Sequence, residues 1–142
     1  MIVYFDTSAL VKRYVAEADS PTVCRLWDSA VVAVSSWLLY PEMMAAFARK
    51  RREGVLPVAD VSAAESLFRR EWTAMTHVAL DDDLIHRLDT LHARHALRGA
   101  DSVHLAAALK YRDLCGENLT FACADATLLA AARVEGLGIA AD

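Results

Sequence analysis

The sequence has no apolar stretch long enough to cross a bilayer, and its opening apolar run is too short, and too soon interrupted by Asp6, for a signal peptide. Cysteine is also scarce. The three cysteines are odd in number and show neither metal-binding nor redox spacing, which favours a reducing compartment. These absences predict a cytoplasmic protein that does not associate with membranes.

An excess of positive charge is lacking too. The formal net charge of −4 does not indicate a nucleic-acid binder unless positive charge is concentrated locally. No internal repeat, low-complexity stretch or linker divides the 142 residues, and 56% of them are hydrophobic. The sequence therefore predicts a single domain, residues 1–142, with one sizeable core.

What the sequence does contain is an alternation of short β-rich runs with longer helical patterns, which predicts βαβ units and a mainly parallel sheet. Ser20 is expected to cap one helix, with Pro21 at its first position. Ser36 is expected to cap a long helix that Pro41 kinks or loosens and Gly54 ends. The predicted strands are Ile2–Phe5, Val31–Ser35, His77–Leu80, Thr120–Ala122 and Gly138–Ala140, and the later helices cover about 60–75, 84–97 and 101–112, with a last one from Asp125.

Four acids stand at comparable places in this pattern. Asp6 and Asp125 follow strands, Asp101 opens a helix, and Glu42 lies in the helix after the second strand. Carboxylates brought together without a cation would raise one another's pKa. A bound Mg²⁺ or Mn²⁺ removes that repulsion, and carboxylate oxygens are the ligands these ions prefer. If the four acids converge, phosphodiester hydrolysis is the chemistry that fits best.

Each acid also has a plainer interpretation. Asp101 and Asp125 stand where helix N-caps belong, and Glu42 has the pattern of a solvated helix residue. The adjacent acids 81–83 form a rival cluster, but three neighbouring side chains point in different directions, so capping of the following helix is the better account. Asp6 is the hardest to explain in this way, because aspartate is depleted in strands and costly near a core.

Four segments, spread over nearly the whole chain, each contain one of the four acids. They are Asp6-Thr7-Ser8-Ala9-Leu10-Val11-Lys12-Arg13-Tyr14, Ser35-Ser36 with Glu42 and Ala45-Ala46-Phe47-Ala48-Arg49, Asp101-Ser102-Val103-His104-Leu105-Ala106-Ala107-Ala108, and Phe121-Ala122-Cys123-Ala124-Asp125 with Leu128 and Gly136. In this order they resemble the acidic motifs of PIN-domain ribonucleases, and of the VapC-type toxins in particular.

The resemblance implies a PIN-like three-layer α/β/α sandwich with a mainly parallel, roughly five-stranded sheet. It also implies an endoribonuclease that uses Mg²⁺ or Mn²⁺, forms a homodimer and is inhibited by a VapB-like antitoxin. Matched by motif position, Asp6 and Asp101 become the principal metal ligands. Glu42 and Asp125 then complete the site or position the attacking water, and Ser8 supplies a supporting hydroxyl beside Asp6, although capping of a helix is its plainer role.

Two departures from the family pattern concern these acids. Cys123 stands where the family often has a hydroxyl residue, and a thiol is the weaker hydrogen-bond partner for the region around Asp125. Pro41 directly precedes Glu42 and is expected to alter how the helix presents that carboxylate. Neither departure removes a ligand, so activity is still expected.

Other residues allow two readings each. His104 lies one turn from Asp101, but on an alanine-rich helix a packed histidine is the more common case. Arg49, Arg51 and Arg52 belong to a basic run whose ordinary role is to complement the helix dipole, although contact with RNA phosphates or an acidic antitoxin tail is the functional alternative.

Two other function classes remain open at this point. One is a PIN-domain module that binds RNA or protein without cutting, or a PIN nuclease of RNA processing that is not a toxin. The other is a phosphatase of the haloacid dehalogenase type, which also begins with a strand followed by aspartate. That class needs a second aspartate two positions later, where this chain has Ser8.

Overall fold

The structure is a computed structural model that describes residues 1–140. Within them, five parallel strands form one sheet in the order β3-β2-β1-β4-β5. The strands are β1 Ile2–Phe5, β2 Val32–Ser36, β3 Thr76–Val78, β4 Leu119–Ala122 and β5 Gly138–Ile139. The helices are α1 Thr7–Tyr14, α2 Ser20–Ser29, α3 Leu39–Glu53, α4 Val58–Trp72, α5 Asp82–Arg94, α6 Gly99–Cys115 and α7 Ala126–Val134.

Side-chain alternation along β1 divides the core into two layers. Val3 and Phe5 face a cluster that contains buried residues of α1, α2, α3 and α4. Tyr4 faces the opposite cluster, which contains buried residues of α5, α6 and α7. Because both faces of the sheet are covered by helices, β1 is apolar throughout. The predicted α/β class and three-layer sandwich are confirmed.

Helices α1 and α4 are joined by a polar contact at the edge of their shared core. Arg13 donates through Nε and Nη2 to the Glu71 carboxylate, at 2.9 and 2.6 Å, and the Tyr14 hydroxyl donates to the same group at 2.6 Å. Partial burial acts to raise the pKa of Glu71, but these hydrogen bonds together lower it. The carboxylate is therefore held in its charged form.

The predicted start of the long helix was wrong. Ser36 belongs to β2, where it pairs with Val78 of β3, and α3 begins only at Leu39. The Ser36 hydroxyl instead accepts from the Leu38 N–H at 3.1 Å. Pro41 therefore lies in the first turn of α3, where a residue does not need to donate an intrahelical N–H bond. The reason for expecting a kink inside the helix no longer applies. Gly54 ends the helix as predicted, with φ of 67°.

Other helix starts also differ from the prediction. Asp19, not Ser20, occupies the N-cap position of α2, and the Ser20 hydroxyl accepts from the Glu17 N–H at 2.9 Å instead. Asp81 caps α5 through a bond from the Leu84 N–H at 3.0 Å, which confirms the capping role of that acidic cluster.

None of the helices within residues 1–140 is long and apolar enough to cross a membrane.

Candidate active site at the carboxyl edge of the sheet

The carboxyl ends of β1 and β4 lie side by side at the point where the strand order reverses. The chain leaves β1 for β2 on one side, while β4 pairs with β1 on the other. Open α/β sheets bind their ligands outside such a switch point. Asp6 follows β1 and Asp125 follows β4, and each caps the next helix by accepting a backbone N–H bond.

Asp6 is buried, with 3% of its surface exposed. Its carboxylate accepts from the Ser8 hydroxyl at 2.8 and 2.9 Å and from the Ala9 N–H at 2.9 Å. Burial raises the pKa of Asp6, against the field of His104 and these hydrogen bonds, which lower it. A buried carboxylate with a raised pKa indicates that a neighbouring positive charge would be favourable at this place.

Ser8 and Cys123 connect the loop of Asp6 with that of Asp125. The Ser8 hydroxyl accepts from the Ala124 N–H at 2.9 Å and lies 3.7 Å from the Cys123 sulfur. That sulfur accepts from the Asp125 N–H at 3.2 Å. Ser8 therefore does not cap a helix but holds Asp6 and the β4 loop together. Cys123 supports the backbone of Asp125 rather than its carboxylate.

Asp101 and Asp125 both lie beside the guanidinium of Arg98. Arg98 Nε donates to Asp101 Oδ2 at 2.9 Å, and its Nη2 is 3.9 Å from Asp125 Oδ2. Arg98, not Asp101, occupies the N-cap position of α6, and Asp101 lies in the first helical turn. The capping interpretation of Asp101 is therefore wrong, whereas Asp125 does cap α7 through Leu128 N–H at 2.8 Å.

Glu42 reaches the same edge from α3 and is held by two side chains. Its Oε1 accepts from the Thr7 hydroxyl at 2.7 Å and from His104 Nε2 at 2.6 Å. Partial burial acts to raise the pKa of Glu42, but the hydrogen bonds from His104 and Thr7 lower it. Glu42 is thus a charged, oriented carboxylate and not the solvated helix residue of the plainer interpretation.

His104 lies beneath Glu42 and is buried, with 2% of its surface exposed. Because a carboxylate only accepts, Nε2 carries a proton, and in the neutral ring Nδ1 accepts from the Tyr4 hydroxyl at 2.9 Å. The Tyr4 oxygen in turn accepts from the Ser36 N–H at 3.1 Å. This chain of contacts fixes the ring and, through it, one oxygen of Glu42.

The four acids offer only oxygen donors, which is the ligand chemistry that Mg²⁺ and Mn²⁺ prefer. Among residues 1–140, no three carboxylate, imidazole or thiol side chains are gathered closely enough to enclose an ion as they stand. Arg98 places a cationic group beside two of the acids, since it donates to Asp101 and faces Asp125. The donor set fits a hard divalent cation, provided that the side chains of this cluster rearrange to bind it.

The basic run of α3 divides into two kinds of residue. Arg51 forms an ion pair with Glu65 of α4 and also donates to Ser62 at 3.3 Å. Arg49 and Arg52 are exposed. The run therefore links two helices through one arginine and presents two others to solvent.

Sequence reasoning gave Thr7 no separate role and Arg98 no place beside the acids, and for His104 it preferred packing to contact with the site. Thr7 and His104 belong to the quoted motifs, and the three-residue spacing of Asp101 and His104 was the available signal for the latter. His104 was read as a packed histidine. The structure shows that it is buried and also bonded to Glu42. For Arg98, its position three residues before Asp101 was the corresponding signal.

The chain has relatives that are similar in sequence and neighbours that are similar in structure. The chain is 41% identical over 112 residues to Ribonuclease VapC45 of Mycobacterium tuberculosis (strain CDC 1551 / Oshkosh), and the match covers 79% of this chain and 78% of that protein. The same values describe its similarity to Ribonuclease VapC49 of Mycobacterium tuberculosis (strain ATCC 25618 / H37Rv). No protein-family model matches the chain.

Two solved structures share the fold. The crystal structure of Mycobacterium tuberculosis VapC20, described as a sarcin-ricin loop cleaving toxin, superposes with a TM-score of 0.65 at 20% identity and covers 91% of this chain and 94% of that one. FitAcB from Neisseria gonorrhoeae superposes with a TM-score of 0.66 at 12% identity and covers 97% and 96% of the two chains. At these identities the superpositions establish a shared PIN-like fold.

Proposed function

We propose that this chain, which belongs to the VapC family of PIN-domain ribonucleases, is an endoribonuclease that depends on Mg²⁺ or Mn²⁺. The observation that supports it most is that Asp6, Glu42, Asp101 and Asp125 all lie at the carboxyl edge of the sheet, in a chain of this family. The 41% identity to two proteins named as ribonucleases supports the activity. The proposal treats residues 1–142 as one PIN domain.

Asp6 and Asp101 would be the principal ligands of the ion, with Glu42 and Asp125 completing the site directly or through water. A bound divalent cation would orient the phosphate, lower the pKa of the attacking water and stabilise the leaving oxygen. Water attacks phosphorus in line with the departing 3′ oxygen, the P–O3′ bond breaks, and the products are a 5′-phosphate and a 3′-hydroxyl. The 2′-hydroxyl takes no part.

The residues of the chain prepare this reaction by holding the acids in place. Ser8 contacts both oxygens of Asp6 while the Ala9 N–H binds Oδ1, so the orientation of the carboxylate is fixed. Thr7 and His104 fix Oε1 of Glu42, which leaves Oε2 available for a cation or for the attacking water. Such preorganisation lowers the cost of reaching the transition state.

Cleavage of a labelled RNA with Mg²⁺ or Mn²⁺ tests the activity. The wild-type protein is expected to cut, a chelator is expected to stop it, and Asp101→Asn is expected to abolish cleavage. Asp113→Asn is the matched control, because Asp113 lies on the same helix but pairs with Arg87 at 2.7 Å, away from the acids. The new ends should carry 5′-phosphates. Cleavage that survives the chelator, or products ending in a 2′,3′-cyclic phosphate, would contradict the mechanism.

We further propose a cytoplasmic toxin that forms a homodimer and is neutralised by a VapB-like antitoxin. The family assignment supports this proposal. Expression of the wild-type chain should stop growth, Asp101→Ala should not, and co-expression of the small protein encoded beside it should restore growth. Equal growth arrest by wild type and Asp101→Ala would refute toxicity by RNA cleavage and would favour a module that binds without cutting.

A further inference from the structure

We propose that Arg98 has two alternating roles: it competes with the divalent cation for the acids, and, once displaced, it binds a phosphate of the RNA. This inference rests on the proposed function and concerns a residue of the same site. The first observation is the contact of its guanidinium with two carboxylates, Asp101 at 2.9 Å and Asp125 at 3.9 Å.

The contact with Asp101 directly opposes metal binding. Arg98 Nε donates to Oδ2 of Asp101, an oxygen of a proposed principal ligand. An oxygen that accepts from a guanidinium has less electron density to offer a cation, and the guanidinium itself repels that cation. Arg98 and a divalent ion therefore compete for the same carboxylate.

The release of Arg98 requires little structural change. Its side chain is 78% exposed, and exposed ion pairs contribute little to stability. Arg98 also precedes Gly99, around which a side chain would meet open space. The guanidinium can therefore move away from Asp101 without disturbing the core.

The displaced guanidinium remains at the mouth of the acidic site, since its backbone is fixed as the N-cap of α6. A planar guanidinium matches the geometry of a phosphate and can bind two of its oxygens. The net charge of the chain is −4 and the acids repel RNA, so a positive group beside them, in addition to the proposed ion, favours binding of the scissile phosphodiester. Arg98 is the arginine that the structure places against these acids.

The test compares wild type, Arg98→Ala and Arg98→Lys, with Arg94→Ala as the matched control. Arg94 is also exposed and also pairs with a carboxylate, that of Glu135 at 3.2 Å, so its loss removes the same charge from the neighbouring helix. Mn²⁺ binding is measured by calorimetry without RNA. RNA cleavage is then measured at saturating Mn²⁺ over a range of salt concentrations.

Two opposite changes are expected from Arg98→Ala. Mn²⁺ affinity should rise about two- to five-fold, the equivalent of losing one exposed ion pair. Cleavage at saturating Mn²⁺ should fall about ten-fold or more, and the salt dependence of RNA binding should lose about one phosphate contact. Arg98→Lys should keep the wild-type Mn²⁺ affinity within about two-fold, and its cleavage rate should lie between those of wild type and Arg98→Ala. Arg94→Ala should match wild type in both measurements.

Unchanged Mn²⁺ affinity in Arg98→Ala would overturn the inference, and so would wild-type cleavage by that variant. Equal effects of Arg94→Ala and Arg98→Ala would reduce the role of Arg98 to net charge and would overturn it as well. Since wild type is measured in parallel, failure of the proposed function is recognised separately: a wild-type protein that neither binds Mn²⁺ nor cuts RNA would overturn both.

Discussion

Asp6→Asn separates the proposed role of Asp6 as a metal ligand from its role as a helix cap. In the structure Asp6 caps α1 through the Ala9 N–H and also lies at the edge of the sheet where the other acids of the site lie. Asparagine has nearly the same shape and caps helices about as well as aspartate. Ser8 can donate to the amide oxygen and accept from the amide nitrogen, so the local hydrogen bonds survive. Only the negative charge is removed.

The expected stability change in a chelator follows from burial. The pKa of Asp6 is raised by burial, so the stability that this group contributes is present when it is protonated and is lost as the pH rises through its folded-state pKa. At neutral pH the charged form is therefore a cost to the folded protein. Asp6→Asn should be at least as stable as wild type, and its advantage should disappear as the pH falls below the ordinary carboxyl pKa.

The expected change with metal is the reverse. An ion at about 100 times its dissociation constant stabilises the folded protein by about 2.7 kcal/mol. For a chain of this size that corresponds to a rise in Tm of roughly 5–10 °C. Wild type should show this rise with Mn²⁺ or Mg²⁺, Asp6→Asn should show little of it, and RNA cleavage should disappear in the variant.

The assay is thermal unfolding in a chelator and in increasing Mn²⁺, together with RNA cleavage. Asp81→Asn is the control for the response to metal, because Asp81 also caps a helix, α5, through the Leu84 N–H at 3.0 Å and lies outside the site. Its stability in the chelator is not compared, since Asp81 also forms an ion pair with Lys110. A Tm rise in Asp6→Asn equal to that of wild type would refute the ligand role. A variant less stable than wild type by more than about 1 kcal/mol in the chelator would refute the argument from burial, since a lost cap costs about that much.

Three further changes have expected outcomes. Glu71→Gln should lower the free energy of unfolding by roughly 1–2 kcal/mol in urea titrations, because three hydrogen bonds to a partly exposed carboxylate are weakened. Since the pKa of Glu71 is lowered, this difference from wild type should be present at neutral pH and should shrink as the pH falls. Tyr4→Phe should lower the free energy of unfolding by about 1–3 kcal/mol in the same titration, because His104 Nδ1 and the Ser36 N–H lose their partner. It should also slow RNA cleavage, because His104 then holds Glu42 less firmly, and unaltered cleavage would exclude that support. Arg49→Ala combined with Arg52→Ala should weaken RNA or antitoxin binding and flatten its salt dependence without loss of stability, whereas Arg51→Ala should destabilise the α3–α4 contact.

Much of the fold could be predicted from local pattern. The strand Ile2–Phe5 was predicted with its observed bounds, and the other four strands were found within about two residues at each end. The acidic cluster at 81–83 was correctly interpreted as a helix start. These predictions succeeded because strand burial and helix capping depend on neighbouring residues along the chain.

The helix starts that were predicted wrongly depended on individual contacts that the pattern of apolar and polar residues does not show. Ser36 has the sequence of a helix cap, but its pairing with Val78 extends β2 and delays the helix to Leu39. Asp101 stands near a helix start, yet the structure places it in the first turn and gives its carboxylate to Arg98. For Ser36 the deciding partner lies on another strand, whereas for Asp101 it is Arg98, three residues earlier, which takes the N-cap position of the helix.

The sequence by itself determined which side chains stand at strand ends and helix starts, because those positions follow from the order of apolar and polar residues. It therefore placed Asp6 and Asp125 at one edge of a parallel sheet. Only the tertiary structure decided which acids and supporting side chains from different elements come together. Glu42 comes from the layer of α3 and His104 from the opposite layer of α6, 62 residues apart, and they meet because both layers end at the carboxyl edge of the same sheet. A contact of this kind depends on the packing of two helices across a sheet, which no local pattern encodes.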